Sequence, residues 1–317
     1  MSVARLPRAA RPSRPAGRDP LGPLLRHGLL ALSRSEIARA VVTHAPPARA
    51  LARRFVAGET RADALRAVQE LAARRSMATV AFLGENVDER RQAEAYAEEY
   101  IRLADDLAGQ GHVSLKLSAL GLDFDEGLCR RLLERIAARA TFVRIDMESS
   151  ADTERTLRLF REVHAAHPNV GVVLQAYLRR TAQDVEEMIR LGARVRLCKG
   201  AYAEPPSVAF PDKADVDRNY VMLAERLLEA GDHPAFATHD ERIVEHLVAH
   251  AANRRIPANR FEFQMLYGIR RDLQRWLIDR GQLVRVYVPY GSHWYPYFMR
   301  RLAERPGNLL FFLRSLF

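Results

Sequence analysis

Lysine is nearly missing from this chain. Of 49 basic residues in 317, only Lys116, Lys199 and Lys213 are lysines, and arginine carries the rest of the positive charge. Where the planar guanidinium is the default, a retained lysine suggests a place for a compact ammonium on a flexible stem, although chance also puts three lysines somewhere. Cysteine is equally scarce. Cys129 and Cys198 are far apart in sequence, which gives neither a disulfide framework nor a zinc-site spacing and favours a reducing cytoplasm. No apolar run is long enough to cross a bilayer. Residues 1–20 alternate arginine and proline without the apolar core of a secretory signal, and read as a flexible basic tail. Also missing are a GxGxxG loop after any strand, a Walker loop, zinc-finger spacing, an aromatic RNA-binding signature and a nucleophile elbow.

The net charge of +10 permits attraction to polyanions, but the basic residues are mixed with acids, as in Arg130-Arg-Leu-Leu-Glu-Arg135. A solvated arginine-rich surface accounts for that pattern. No nucleic-acid partner is expected, while peripheral contact with the inner face of a membrane stays compatible with it.

Eight short apolar, β-rich runs recur: 78–84, 113–118, 142–148, 170–177, 195–200, 235–239, 261–266 and 283–288. Helical patterns fill the gaps, at 88–107, 126–140, 152–166, 182–191, 216–230, 241–251 and 269–280. Ser150-Ala-Asp-Thr-Glu154 and Thr181-Ala-Gln-Asp184 suggest helix caps. Strictly alternating strands and helices imply parallel pairing, and eight units close a (βα)8 barrel; a doubly wound open sheet is the alternative. Amphipathic segments at 23–33, 34–43, 48–56 and 60–73 form an N-terminal helical extension. The expected organisation is a tail (1–20), helices packed on the barrel (21–77) and the barrel itself (78–317).

Strands covered on both faces should be apolar throughout, yet these are interrupted by charge. Alternation puts Ser114, Lys116 and Ser118 on one face, and Arg144, Asp146 and Glu148 on another. Gln175, Arg196, Lys199, Glu262, Gln264, Arg285 and Tyr287 extend the set. A charge inside a barrel costs several kcal/mol unless paired. Two readings follow: an internal salt-bridge network, or a polar ligand seated at the C-terminal mouth. Crowding of the polar residues toward the strand ends favours the ligand. Asp146 either serves that ligand or merely neutralises Lys116 or Arg144. His239 is a core histidine or a ligand contact. His246 and His250 share a helix face without a third ligand in sequence and read as surface residues; no metal site is expected. Near the C-terminus, Tyr297, Arg300, Arg301 and Glu304 share one helix face. That face suits either a small carboxylate or an ordinary surface Arg–Glu pair.

Taken in order, the segments Lys-Leu-Ser-Ala-Leu120, Arg-Ile-Asp-Met-Glu148, Leu-Gln-Ala-Tyr177, Arg-Leu-Cys-Lys-Gly-Ala-Tyr202, Ala-Thr-His239, Phe-Glu-Phe-Gln-Met-Leu266 and Tyr-Phe-Met-Arg-Arg-Leu-Ala-Glu304 resemble the proline dehydrogenase family, in its monofunctional bacterial form. The resemblance implies a distorted (βα)8 barrel with its last helix over the mouth. It also implies noncovalent FAD and oxidation of L-proline to Δ1-pyrroline-5-carboxylate, with electrons leaving to a quinone or other acceptor. A pyrroline-5-carboxylate dehydrogenase would act downstream. Carried over residue by residue, Arg300, Arg301 and Lys116 hold the substrate carboxylate. Leu266, Tyr287 and Tyr297 wall its ring, Asp146 positions arginine and tyrosine groups, and Glu304 fixes an arginine or reaches the cofactor. Gln175, Arg196, Lys199, Gly200, Ala201, Lys213, Thr238 and His239 follow the flavin nucleotide, and Glu85 closes a gate against Arg196. Ala203 stands where some members have tryptophan, and the segment from Tyr287 to Tyr297 is shorter than in the bifunctional members. A methylenetetrahydrofolate reductase-like flavin barrel and a basic surface-binding protein are the competing expectations.

Overall fold

The computed structural model describes Val42, residues 50–84 and residues 87–304, with the backbone alone at 303 and 304. The expected tail, the helix over 23–33, nearly all of that over 34–43, and Glu85 lie outside the described residues. Two compact units are present: Ala57–Ser292, and a second whose described parts are Val42 and residues 50–56 and 293–304.

Ala57–Ser292 contains a closed barrel of eight parallel strands in sequence order. They are β1 (Met77–Phe82), β2 (Gly111–Leu115), β3 (Val143–Ile145), β4 (Val170–Gln175), β5 (Val195–Cys198), β6 (Ala235–Ala237), β7 (Glu262–Leu266) and β8 (Val284–Tyr290). Between them run α2 (Arg90–Leu107), α3 (Glu126–Ala137), α4 (Thr153–Ala166), α5 (Thr181–Arg190), α6 (Lys213–Ala230), α7 (Glu241–Asn253) and α8 (Arg271–Asp279). Ahead of β1, α1 (Arg61–Ala73) packs on β1 and β8, covering the wall that a helix after β8 covers in a regular barrel. The helix after β8, α9 (Trp294–Glu304), belongs to the second unit. All eight expected strands form. Several end earlier than expected because Lys116, Asp146, Lys199 and His239 have already left the ladder for the C-terminal rim.

The helices bury one stripe each. In α3, Leu128, Leu132, Leu133 and Ile136 recur at three- and four-residue spacing and are fully buried, each contributing about 1.5–3 kcal/mol. Thr60 and Asp63 form a reciprocal capping box on α1, and Asp125 accepts from the Leu128 amide at 2.8 Å on α3. The caps expected of Ser150 and Thr181 do not form. The Ser150 hydroxyl and amide are taken by Glu204, and Thr181 donates its hydroxyl to the Gln175 carbonyl at 2.6 Å, tying the start of α5 to the end of β4. Among the described residues no helix is long and apolar enough to cross a membrane. Cys129 and Cys198 are both free, and burial pushes the Cys198 thiol up to about 12.

Near the N-terminal ends of the strands the charged lumen closes on itself. Glu262 and Arg285, 2% and 5% exposed, pair with Arg285 Nε donating to both carboxylate oxygens at 2.9 and 3.1 Å. Arg285 Nη1 also reaches the Ala78 carbonyl at 3.0 Å, and Gln264 donates to Glu262 at 2.5 Å. Burial opposes ionisation of Glu262, but hydrogen bonds from His233, Arg285 and Gln264, with the Arg285 charge, hold its pKa below the usual range. Arg144 donates to the Val172 and Arg194 carbonyls, an approach possible because position 171 is glycine. A Cβ there would lie 2.8 Å from Arg144 Nη1 and 2.6 Å from the Arg194 oxygen. Burial, then the Arg285 charge, lowers the His112 pKa to about 2, so this imidazole stays neutral.

Removing one partner of the Arg285–Glu262 pair strands a buried charge. Arg285→Met is expected to lower the unfolding free energy by about 3–5 kcal/mol at neutral pH in urea titrations followed by circular dichroism. Glu262 has a depressed folded pKa, so the pair's contribution is complete above 4.5 and fades below it. The deficit of the variant therefore shrinks as pH falls; one that grew would contradict the pairing.

Candidate active site

Above this closed layer, the C-terminal strand ends gather a second charged group around Asp146. Asp146 follows β3 directly, its amide held by the Leu115 carbonyl at 2.8 Å. Its Oδ1 accepts from Arg196 Nη1 at 2.7 Å and from the Ser114 hydroxyl at 2.9 Å, and its Oδ2 accepts from the Tyr287 hydroxyl at 3.1 Å. Arg196 Nη1 also reaches Ser114 Oγ at 3.1 Å, and its guanidinium carbon lies 5.5 Å from the Tyr287 ring centre. One carboxylate thus ties β2, β3, β5 and β8 together. The alternative in which Asp146 merely neutralises Lys116 or Arg144 is not what forms: its cation is Arg196, with the Tyr287 hydroxyl beside it.

Arg196 is 6% exposed, yet its Nε and Nη2 are buried with no hydrogen-bond partner among the described residues. Donors left unmatched in a low-dielectric site are costly, and here they invite an acceptor-rich ligand. Gln175, buried beside them in sequence order on β4, donates to the Glu148 carbonyl at 2.9 Å. Leu266 and Tyr287 sit opposite each other in the β7–β8 register. His239 Nε2 accepts from the Leu266 amide at 3.0 Å, which places the imidazole proton on Nδ1. Thr238, buried, accepts from the Asp240 amide at 3.1 Å. Lys116 is half-buried after β2, and among the described residues no carboxylate lies within ion-pair distance of it. Burial raises the Glu148 pKa, with the Lys116 charge opposing it.

The other two lysines are clamped. Lys199 Nζ lies 2.5 Å from Asp217 Oδ1 and 2.9 Å from Asp240 Oδ2. Lys213, 75% exposed, pairs with Asp217 and lies 3.8 Å from Asp240. Burial acts against the charged forms of Lys199, Asp217 and Asp240, but the mutual hydrogen bonds outweigh it, raising the lysine pKa and lowering both carboxylates. Sequence reasoning missed both aspartates. Lys213 and Asp217 are i,i+4 on α6, and Asp240 caps α7 by accepting from the Arg242 amide at 3.2 Å, so both carried a local signal. Gly200 follows with φ +115, and a Cβ there would lie 2.3 Å from the Tyr177 ring; Ala201 is exposed.

Tyr297, Arg300 and Arg301 lie on α9 of the second unit, where Arg301 stacks its guanidinium 5.2 Å from the Tyr297 ring centre and Trp294 meets Phe298 edge-on at 5.8 Å. For Glu304 the backbone alone is described, and Glu85 lies outside the described residues. A groove of about 580 Å³ between α1 and α8, lined by Arg74, Arg75 and Arg271, is on the outer wall and contains none of these residues.

The family model for proline dehydrogenase matches residues 64–313. The chain is 41% identical over 304 residues to proline dehydrogenase 1 of Bacillus subtilis subsp. natto, covering 92% of this chain and 99% of that protein. It is 42% identical over 280 residues to the proline dehydrogenase of Deinococcus radiodurans, covering 84% and 90%. Among solved structures, proline utilization A from Bdellovibrio bacteriovorus, inactivated by N-propargylglycine, superposes with a TM-score of 0.77 at 25% identity. That match covers 89% of this chain and 36% of the larger protein, so the chain spans about a third of it.

The lysine–aspartate cluster predicts a pH response. Asp217 and Asp240 titrate below 3.8 in the fold, so their contribution is complete above that value and is lost as pH falls through the lowered ones. Lys199 titrates above 10.5, and its share is lost only as pH rises past that. Lys199→Met returns both carboxylates toward ordinary values, so acid unfolding followed by circular dichroism should begin at a higher pH. Superimposable acid transitions would rule the cluster out as a stabilising feature.

Proposed function

Because the chain belongs to the proline dehydrogenase family, matched over residues 64–313, we propose that it oxidises L-proline to Δ1-pyrroline-5-carboxylate with FAD as the first electron acceptor. The observation that carries this reading is Arg196: a buried guanidinium pinned by Asp146, with two donors unmatched at the barrel mouth. Such a donor set fits the carbonyl and ring-nitrogen acceptors of an isoalloxazine. No side chain can take up two electrons, so the flavin when bound supplies the redox chemistry, accepting the hydride that leaves proline C5. The nitrogen loses its proton as the C5–N double bond forms, which balances the conversion.

The chain's own residues orient and hold charge. Arg196 would support the negative charge that reduction places on the flavin, and Gln175 and Lys199 are assigned to the same cofactor. Gly200, Ala201, Lys213, Thr238 and His239 are assigned to the remainder of the nucleotide. Asp146 sets the Arg196 guanidinium and the Tyr287 hydroxyl relative to each other, and Tyr287 and Leu266 present an apolar wall for a five-membered ring. Lys116, an ammonium without a carboxylate partner among the described residues, is assigned to the proline carboxylate. Arg300 and Arg301 share that assignment on the family resemblance, with Tyr297 and Glu304 beside them in sequence. Electrons then pass to a quinone or another acceptor, and the product to a pyrroline-5-carboxylate dehydrogenase.

The test is spectroscopic. Purified protein should be yellow, and anaerobic L-proline should bleach the visible flavin band. A yellow protein indifferent to proline would mean another substrate, and a colourless one would end the reading. Tyr287→Phe keeps the wall but drops a hydrogen bond to a charged acceptor, and should lower kcat/KM for proline by about 10–100-fold. Lys116→Met should raise the proline KM while FAD stays bound, and an unchanged KM would remove Lys116 from the site.

A further inference from the structure

Away from the mouth, α6 and α7 carry paired residues facing each other across their contact. Glu225 and Glu229 are i,i+4 on α6, and His246 and His250 are i,i+4 on α7. His246 Nε2 lies 2.7 Å from Glu225 Oε1, and His250 Nδ1 lies 3.2 Å from the same oxygen. One ligand atom from each of Glu225, His246 and His250 falls within 4.8 Å of the other two. Bonds of about 2.0–2.2 Å to zinc put tetrahedral ligands about 3.3 Å apart, so small side-chain rotations close the set. Sequence reasoning dismissed the two histidines for want of a third ligand; the neighbouring helix supplies it.

A second observation concerns His250, whose side chain is 15% exposed. Its Nε2 is buried without a hydrogen-bond partner among the described residues, and Glu229 Oε1 is 3.5 Å from it. Glu229 is itself held by Arg254 Nε at 3.2 Å. Coordination through Nδ1 would put the proton on Nε2, facing Glu229, which is the carboxylate–histidine–metal relay that fixes ring orientation in metal sites. The buried nitrogen then gains a role that the metal-free arrangement does not give it.

We propose that Glu225, His246 and His250 bind a divalent transition ion of the zinc class, with Glu229 as outer partner and water completing the tetrahedron. Two imidazoles select against magnesium and calcium, which prefer all-oxygen shells. The ion would staple α6, which carries Lys213 and Asp217, to α7, which Asp240 caps, and so stiffen one side of the mouth.

Equilibrium dialysis of the full-length flavoprotein against zinc chloride, after chelator treatment, tests this directly. One zinc per chain is expected, unaffected by excess magnesium, with a rise in Tm on binding. His246→Ala, His250→Ala and Glu225→Gln should each weaken binding by at least about tenfold, with unchanged circular dichroism and proline activity in the metal-free state. Absence of stoichiometric zinc would show the cluster to be a plain histidine–glutamate clamp and overturn the proposal. Undiminished zinc in the His246→Ala/His250→Ala double variant would place the ion elsewhere and overturn it equally.

Discussion

A charge enclosed by a parallel barrel has no water to solvate it, so each must find a partner inside, and that requirement organises this molecule. Toward the N-terminal ends of the strands protein groups meet most of it: Arg285 pairs with Glu262, and Arg144 donates from Nη1 to main-chain carbonyls while its Nε stays buried without a partner among the described residues. Toward the C-terminal ends it is met only in part. Asp146 takes one nitrogen of Arg196 and the Tyr287 hydroxyl, leaving two Arg196 donors unmatched. An internal network and a ligand site were posed as rival readings of the polar strands; the network forms, and the proposed site rests on the Arg196 donors that it leaves over.

The order of strands and helices was legible because a buried parallel strand and an amphipathic helix each impose a period that survives without tertiary information. Polar residues breaking that period, such as Ser114, Asp146 and Arg196, were legible as interior groups for the same reason. Which of them pair was not. Ser114 and Arg196 are three strands apart around the barrel, and only closure brings them to the same carboxylate. The same limit hid Glu225 from His246, which lie on successive helices. Helix caps failed differently. Ser150 and Thr181 have the right chemistry at the right place, but Glu204 and the Gln175 carbonyl compete for them and win.

The three scarce lysines differ in their surroundings. Lys116 has no carboxylate within ion-pair distance among the described residues, although its charge is felt at Glu148. Lys199 and Lys213 are gripped by Asp217 and Asp240, so their charges are largely balanced within the protein. Their first effect is to join the end of β5 to the starts of α6 and α7. Arg196, rather than Lys199, then supplies the unsatisfied donors at the mouth.

In the proposed reaction Arg196, held by Asp146, meets the flavin with its two unmatched donors. The reduction potential of the bound cofactor reads this most directly. In Arg196→Met the potential should move negative relative to wild type, because reduction adds negative charge that has lost its cation. A variant that retains flavin at an unchanged potential would contradict the account.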